Sequence, residues 1–562
     1  MSSIAYHHNK KTDTTYVYSV HHYWDKEKKA SRNKQVCLGK LDKATGEIIP
    51  SKRKKKIAER AVEAPGITAT TRVIGPSLIL DRLAADTGLE EIVKRAFPNL
   101  HDEIMSLVYF IVQKGLPLSR CEAWSQSHIH PFGEGFGSQR VSELLREISE
   151  ADRQRFLSLW LGKLTEHDYL CYDITSVSSY AEANEYVRYG YNRDGESLPQ
   201  VNLAMLFGQK SHLPAFYRRT QGNISDVATL KTTVKALDFI GAHGMHFVMD
   251  RGFYSRTNVE ELLEQRYHFT MAVPTTRKWV EAILDQHVDS ILSPTNYLRI
   301  NDKEALYVAS TLHKWGEKRR RTYLHVYYNA ARAAEEVDQF TRRLLQCRQE
   351  LNENKRSEAN EEFYARFFTI RETPKRGRRV VFNDEEIQKY RKRYAGFFCI
   401  LSTQIKDSRE ALRVYRSKDS VEKCFDDMKN QLDMKRLRVH DSGAMDNRFF
   451  IQFLALVLIC RARDVIQSDQ ALWNLTFREM FEAMETLVRI TYSGRYGKLY
   501  TERSPLQRKI MDGFRAQMQG KRIKNQVPYC DIVSNVVNIG LFHESHRSGL
   551  HGFREHKHSR AF

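Results

Sequence analysis

The sequence predicts an α/β protein with a mixed β-sheet flanked by helices. Between residues 165 and 275, short apolar runs rich in β-branched and aromatic side chains alternate with longer segments of helical periodicity. A second helical pattern, at residues 415–429, has polar side chains on one face and apolar side chains on the next. With 562 residues and 41% apolar side chains, the chain is long enough to bury a large core and to form several structural units.

The N-terminal part is predicted to be small and β-rich. Residues 14–49 alternate apolar and polar side chains, which is typical of a β-hairpin. The basic run KRKKK at residues 52–56 is either a solvated linker or an arm that contacts phosphates. Residues 61–164 then show helical patterns that indicate either a plain bundle or a helix-turn-helix, and we expect this region to bind DNA.

Two aspartates occupy matched positions in the region where strands and helices alternate. The predicted order is three strands, helix, strand, helix, strand, in the segments HDYLCYDIT, VNLAMLFG, LPAFYRRT, DVATLKTTVKALDFI, MHFVMD, TNVEELLEQR and YHFTMAV. Asp173 ends the apolar run of the first strand, and Asp250 ends that of the fourth. If these strands are neighbours, the two carboxylates converge at one edge of the sheet. A turn or cap role is the usual one for an aspartate after a strand.

The pattern at residues 415–429 predicts one helix with a cationic stripe. With 3.6 residues per turn, a sector of about 60° contains four polar side chains: Tyr415, Lys418, Glu422 and Lys429. Two cations beside one acid suit a phosphate held next to a metal ion. The alternative is a solvated amphipathic helix with ion pairs within it.

Composition narrows the class of partner and compartment. The formal net charge of +20 favours a polyanionic partner. Eight cysteines without a CxxC pair disfavour a zinc knuckle or a disulfide framework and are typical of reduced cytosolic thiols. The N-terminus lacks the apolar core of a signal peptide. The apolar run at residues 449–460 is too short to span a bilayer, and we expect this run to form a buried helix.

Together these residues resemble the DDE transposases of bacterial insertion sequences, in particular the group with a Tyr-x2-Arg-x3-Glu-x6-Lys signature. Tyr415, Glu422 and Lys429 match the signature, and Lys418 stands where the family usually has arginine. The segments YDITSVSSY and MDRGFYS are similar to those around the family's first two acids. The resemblance extends over about residues 75–510.

This resemblance implies a ribonuclease H-like fold and two divalent cations, Mg²⁺ with Mn²⁺ as a substitute. Asp173 would bridge both ions, Asp250 and Glu422 would flank them, and water and then a DNA 3′-hydroxyl would be the nucleophiles. Asp419 and Asp426 lie near the same helix face and compete for the third position, for which the signature favours Glu422.

The resemblance also suggests residues that contact DNA. The predicted DNA-binding residues are Tyr415, Lys418, Lys429, Arg251 and Arg416. Trp279 and Trp315 are candidates to stack on a flipped base, with core packing as the alternative role for each.

The separation between Asp250 and Glu422 exceeds what one crossover needs, which predicts an inserted α+β domain. The predicted segments are 1–60, a β-rich module and basic linker; 61–164, helical; 165–275, first part of the core; 276–393, inserted domain; 394–435, final strand and Glu-bearing helix; 436–515, C-terminal helices; and 516–562, a basic disordered tail.

We therefore expect a bacterial DNA transposase, cytoplasmic and associated with the nucleoid. We expect no membrane partner. The protein would form a homodimer on double-stranded DNA, bind the terminal inverted repeats and join their ends to target DNA. Two alternatives are a catalytically idle DNA-binding regulator and a metal-dependent nuclease without strand transfer.

Overall fold

The computed structural model describes residues 2–25, 30–50, 69–164, 169–181, 184–241, 243–302, 304–373, 377–432, 434–437, 439, 441–493 and 497–518. The basic run at residues 52–56 and the tail from residue 519 lie outside the described residues. The chain forms two compact units, one of Met1–Thr71 with Ile490–Leu499 and one of Arg72–Arg489 with Tyr500–Phe562.

The first unit contains an antiparallel sheet of four strands in the order β1-β2-β3-β4. Its strands are β1 (Ser2–Asn9), β2 (Thr14–Asp25), β3 (Ala30–Leu41) and β4 (Ile48–Pro50). The hairpin predicted within residues 14–49 is present as β2 and β3, and β1 and β4 extend it on either side. Strand β5 (Ala69–Val73) follows.

Helices fill the next part of the chain. They are α1 (Gly75–Thr87), α2 (Leu89–Ala96), α3 (His101–Lys114), α4 (Cys121–Ser127), α5 (Ser138–Glu147) and α6 (Glu150–Lys163). Helix α1 begins with a proline in its first turn and ends at Gly88, whose φ of 68° suits a residue without a side chain.

The next seven elements follow the predicted order. They are β6 (Leu170–Ser179), β7 (Gln200–Gly208), β8 (Pro214–Gln221), α7 (Asp226–Phe239), β9 (His246–Met249), α8 (Arg256–Glu264) and β10 (His268–Val273). Strands β6, β9 and β10 run parallel to one another, whereas β7 is antiparallel to β6 and β8 is antiparallel to β7. Strands β6 and β7 are buried on both faces; β7 is mainly apolar, whereas β6 is apolar at residues 170–172 and carries a threonine and three serines after Asp173.

The predicted inserted domain, residues 276–393, is divided in the structure. Its elements and the strand that follows are α9 (Lys278–His287), β11 (Tyr297–Arg299), β12 (Ala305–Trp315), β13 (Arg320–Tyr328), α10 (Ala330–Asn352), α11 (Glu361–Phe367), β14 (Phe368–Thr373), β15 (Gly377–Phe382), α12 (Asp384–Arg393) and β16 (Phe397–Ser402). The large sheet has the order β11-β12-β13-β16-β10-β9-β6-β7-β8, so β11–β13 extend it. They do so because Leu401 of β16 pairs with Met271 of β10 on one side and Leu324 of β13 on the other. The segment from α10 to α12 instead has a small core of its own, in which Phe340 stacks on Tyr390.

The rest of the chain is mainly helical. It contains α13 (Ser408–Arg416), α14 (Asp419–Asn430), β17 (Arg436–Leu437), α15 (Ser442–Ser468), α16 (Phe477–Met484), β18 (Val488–Tyr492), β19 (Lys498–Tyr500) and α17 (Pro505–Met518). Strand β17 pairs with β6 in the large sheet, and β18 lies between β19 and β5 in a separate sheet. Short 3₁₀ helices occur at Leu118–Arg120, Arg251–Phe253, Pro294–Asn296 and Glu358–Asn360.

Helix α15 is the buried helix predicted at residues 449–460. The ring of its Phe450 lies 5.3 Å from Phe97 and 5.2 Å from Phe156, so the N-terminal helices pack around it as a bundle. In the part of the chain that the structure describes, no helix combines the length and apolar character needed to cross a membrane. The architecture is therefore a mixed α/β one, with a large mixed sheet and many helices, as predicted.

Candidate active site

Asp173 and Asp250 lie side by side on neighbouring strands. Strands β6 and β9 are parallel, and Tyr172 pairs with Met249, so each aspartate follows a member of the same pair. The prediction that Asp173 ends its strand is wrong, because Asp173 is the fourth residue of β6. Strand β6 continues because its later residues still pair with β7, whereas β9 ends at Met249. At the position of the two acids, β6 is therefore paired with β7 on one side and, among the described residues, has no strand beside it on the other.

Helix α14 covers the sheet face from which Asp173 projects. Asp173 pairs with Met205 on the antiparallel strand β7, and directly paired residues point to the same face. The Cys424 thiol of α14 lies 3.6 Å from the Met205 sulfur. Glu422 is two residues earlier on this helix and is exposed, so α14 brings a third acid to the same face.

The prediction of a single helix at residues 415–429 is wrong, because a turn at residues 417 and 418 separates α13 from α14. The Ser417 hydroxyl donates to the carbonyl of Val414 at 2.5 Å, and the Ser420 hydroxyl donates to the carbonyl of Ser417 at 2.6 Å. These short-range bonds replace helical ones, as serine side chains commonly do. Tyr415 therefore lies on α13, Lys418 lies in the connection, and the rest of the stripe lies on α14.

Tyr415 holds the carboxylate of Asp250. Its hydroxyl donates to Asp250 Oδ1 at 2.7 Å. Burial, and then the negative charge of Asp250, raises the pKa of Tyr415. The hydroxyl consequently keeps its proton and remains a donor, which orients the carboxylate.

Lys418 supplies the positive charge among the acids. Its Nζ donates to Glu422 Oε1 at 2.6 Å. Although burial opposes the shift, this hydrogen bond and the charge of Asp250 raise the pKa of Lys418. The ammonium group thus interacts with two of the three predicted acids.

Asp173 is the most buried of these acids and feels the charge of Glu422. Burial raises the pKa of Asp173 to about 6, and Glu422 adds to the rise, while the backbone N–H of Ile174 and the charge of Arg193 oppose it. A divalent cation would offset both penalties on the ionised carboxylate, and three carboxylates are the donors that hard cations prefer. As the side chains of the described residues stand, no three His, Cys, Asp or Glu lie close enough to hold one ion.

The two competing acids on or beside α14 are both exposed. Asp419 Oδ1 lies 3.9 Å from Lys418 Nζ, and Asp426 lies one turn beyond Glu422. Glu422 differs from both in accepting a hydrogen bond from Lys418 Nζ, at 2.6 Å.

The predicted DNA-binding cations differ in whether an acidic side chain already pairs with them. Lys429 Nζ contacts both carboxylate oxygens of Asp194, at 2.7 and 2.8 Å, and its side chain is 12% exposed. Arg416 donates two hydrogen bonds to the carboxylate of Glu304. Arg251, directly after Asp250, is exposed. The stripe is therefore partly neutralised by acids from other parts of the chain.

Sequence reasoning missed the connection between β6 and β7. In this connection Arg193 donates to Ser176 Oγ at 3.3 Å and forms an ion pair with Asp226. The side chain of Asn192 accepts the backbone N–H of Asp194 at 2.8 Å, which forms a tight turn. The segment Asn-Arg-Asp-Gly is a recognisable turn signal, although it does not identify the partner of Asp194.

Trp279 and Trp315 line one cavity of about 500 Å³. The Trp279 ring stacks on His313 with centroids 4.6 Å apart and meets Trp315 edge-on at 5.4 Å. Trp279 Nε1 donates to the hydroxyl of Tyr254 at 2.8 Å, whereas Trp315 is buried. The two predicted stacking residues therefore lie in contact, and the structure adds Arg277 to the lining.

Comparison with known proteins gave a family match. A family model described as "Transposase DDE domain" matches residues 165–458, more than half of the chain. Comparison with curated proteins gave no match. A solved structure, the piggyBac transposase synaptic complex with hairpin DNA, aligns with a TM-score of 0.37 and 12% identity, covering 84% of this chain and 87% of that chain. That degree of likeness is too low to establish a common fold.

Proposed function

The chain belongs to the family of transposases with a DDE domain, and we propose that it is the transposase of a bacterial insertion sequence in the Tyr-Arg-Glu-Lys signature group. It would cut DNA at the transposon ends and transfer the 3′-hydroxyl ends to target DNA. The observation that carries this proposal is the adjacent register of Asp173 and Asp250, with Glu422 on the helix that covers the same sheet face and in a hydrogen bond with Lys418.

We propose that Asp173, Asp250 and Glu422 hold two Mg²⁺ ions, for which Mn²⁺ would substitute. The carboxylate donors and the raised pKa of Asp173 fit bound divalent cations. When bound, such ions activate an attacking oxygen and neutralise charge on the phosphate. The protein's part is to keep the carboxylates oriented, as Tyr415 does for Asp250.

Positive side chains beside the acids would bind the DNA backbone. Lys418 is half-buried next to Glu422, and Arg251 is exposed next to Asp250. We propose that these two residues contact the phosphates flanking the cut. Lys429 and Arg416 would contribute less, because their charges are already paired with Asp194 and Glu304.

The proposal extends to fold, assembly and compartment. We propose a ribonuclease H-like core, a homodimer in the complex with terminal inverted repeats and target DNA, and a location with the bacterial nucleoid. A base displaced near the cleaved end would stack against Trp279 or Trp315, since both rings line the same cavity.

Substitution of the acids tests the proposal. Asp173→Asn, Asp250→Asn and Glu422→Gln should each abolish Mg²⁺-dependent cleavage of duplexes carrying the terminal repeats, while binding of the same duplexes persists. Asp426→Asn is the matched control, because this exposed acid lies on the same helix as Glu422 and should leave cleavage unchanged. Near wild-type cleavage by the Asp250 variant would contradict the assignment.

A further inference from the structure

A second cavity, of about 530 Å³, lies at the free edge of the large sheet. Its walls come from the edge strand β8, from α6 and from α7, with further residues from the β6–β7 connection and α15. Pockets that bind small organic ligands are typically about 300–1,000 Å³. The size therefore suits a ligand of one nucleotide.

Two guanidinium groups in this cavity share one carboxylate. Arg219 Nε donates to Asp446 Oδ1 at 2.5 Å, and Arg153 Nη2 lies 3.7 Å from Asp446 Oδ2. The side chain of Arg219 is only 8% exposed, and its Nη1 is buried without a hydrogen-bond acceptor. Because this atom has no accessible surface, Arg219 is part of the wall and is not a group that a ligand in the cavity can reach.

Two further cations at this cavity have no acidic partner. In the part of the chain that the structure describes, Arg218 and Lys235 are exposed and form no ion pair. The lining contains four basic side chains, including these two, and two acidic ones, Glu150 and Asp446. The resulting excess of two positive charges matches a phosphate monoester, which carries about −1.5 to −2 charges at pH 7.

Aromatic side chains form the rest of the wall. The Arg219 guanidinium lies 3.5 Å from the ring centroid of Tyr186, which holds it in place by a cation–π contact. Phe239 is 75% exposed and lies one turn after Lys235 on α7. An exposed phenylalanine beside unpaired cations suits a ligand that has both a phosphate and a flat apolar ring.

We propose that this cavity binds a nucleotide, with its phosphate monoester against Arg218 and Lys235 and its base against Phe239. The same chemistry is present in a free mononucleotide and in the 5′-phosphorylated end of a DNA strand. Tyr217 pairs with Met205, which pairs with Asp173, so the cavity begins two strands, about 10 Å, from the acids. The inference goes beyond the proposed function, because none of the three acids takes part in binding here.

Calorimetric titration of the full-length protein in EDTA tests the site. The probes are deoxyadenosine 5′-monophosphate, deoxyadenosine and inorganic phosphate. We expect the monophosphate to bind at least about tenfold more tightly than either part alone. Arg218→Ala and Lys235→Ala should each weaken its binding about tenfold, because each loses a charged contact. Lys231→Ala is the matched control, as this exposed residue lies on α7 but outside the cavity.

Two tetranucleotides, one with a 5′-phosphate and one with a 5′-hydroxyl, show whether the ligand is the end of a DNA strand or a free nucleotide. Binding of the phosphorylated tetranucleotide but not of the mononucleotide assigns the site to a strand end, and the reverse assigns it to a free nucleotide. Equal affinities for deoxyadenosine and its monophosphate, or affinities unchanged in both variants, would overturn the proposal. Since the titration contains no divalent metal, that failure would leave the acid-dependent cleavage described above unaffected.

Discussion

Without a bound metal ion, ionised Asp173 should lower the free energy of unfolding of the protein. Burial and Glu422 raise its pKa to about 6, from about 4 in an unfolded chain. Between these pH values the folded chain binds the proton more tightly, so the free energy of unfolding falls as pH rises from about 4 to 6 and stays low above. The same burial that suits the residue to a cation therefore makes it destabilising without one.

Asp173→Asn should for this reason stabilise the protein while abolishing cleavage. In EDTA at pH 7, we expect the free energy of unfolding to rise by about 1–2 kcal/mol, and at pH 4 to change little. Urea denaturation at the two pH values measures the difference, with Asp426→Asn as an exposed control. A variant less stable than wild type at pH 7 would show that the ionised carboxylate has a stabilising partner.

Lys418 is predicted to act in the chemical step. Its ammonium lies 2.6 Å from Glu422, so it is placed to compensate charge on a phosphate bound beside the acids. Lys418→Ala should slow single-turnover cleavage and joining by about 10–100-fold, whereas Lys418→Arg keeps the charge and should be tolerated. If the Ala variant joins pre-cut ends as fast as wild type, Lys418 is not at the active site.

The connection between β6 and β7 depends on a close approach of two glycines. A Cβ on Gly190 would lie 2.1 Å from the carbonyl oxygen of Gly222. Gly190→Ala must therefore displace the connection that holds Arg193 and Asp194. We expect a loss of about 1–3 kcal/mol in the free energy of unfolding and a slower cleavage rate. Both are measurable on one preparation, by urea denaturation and single-turnover assay.

Gly162→Ala is the matched control for this prediction. Gly162 lies in α6, and a Cβ there would meet open space. Because alanine favours the helix, this variant should gain about 0.5–1 kcal/mol and cleave normally. Equal behaviour of the two variants would mean that the β6–β7 connection adapts without consequence.

The elements were predictable where their signal is local. Short apolar runs indicated β6 to β10 and helical periodicity indicated the helices between them, because both patterns are local. The break between α13 and α14 was not predicted, since Ser417 and Ser420 are compatible with a helix until their hydroxyls bond to the backbone.

At the candidate active site, the sequence suggested the acids and cations but not the ion-pair partners of the cations. Asp173 and Asp250 were predicted to be neighbours because each ends an apolar run, and the register of β6 and β9 does place them side by side, although β6 continues past Asp173. The partners of Lys429 and Arg416 come from positions 235 and 112 residues away, and no local pattern records such contacts. The extension of the sheet by β11–β13 is long-range in the same way.

At the scale of the whole molecule, the net charge of +20 predicts salt-dependent DNA binding. Arg251→Ala should reduce the slope of log affinity against log salt concentration by about 0.9, the share of one phosphate contact. Lys429→Ala should leave the slope nearly unchanged, because Asp194 already neutralises that charge. Filter binding over a salt series gives both slopes, and the opposite ranking would mean that the Lys429–Asp194 pair opens on DNA.

The most direct measurement is the sequencing of DNA junctions. The purified protein would be incubated with Mg²⁺, a target plasmid and duplexes made from the sequences that flank its gene. For a transposase, we expect the 3′ ends of these duplexes to be joined to the plasmid, and Asp173→Asn to give no junctions. Ends that are cut but never joined would indicate a nuclease without strand transfer. Ends that are bound but never cut would indicate a DNA-binding regulator, and either result would contradict the proposed function.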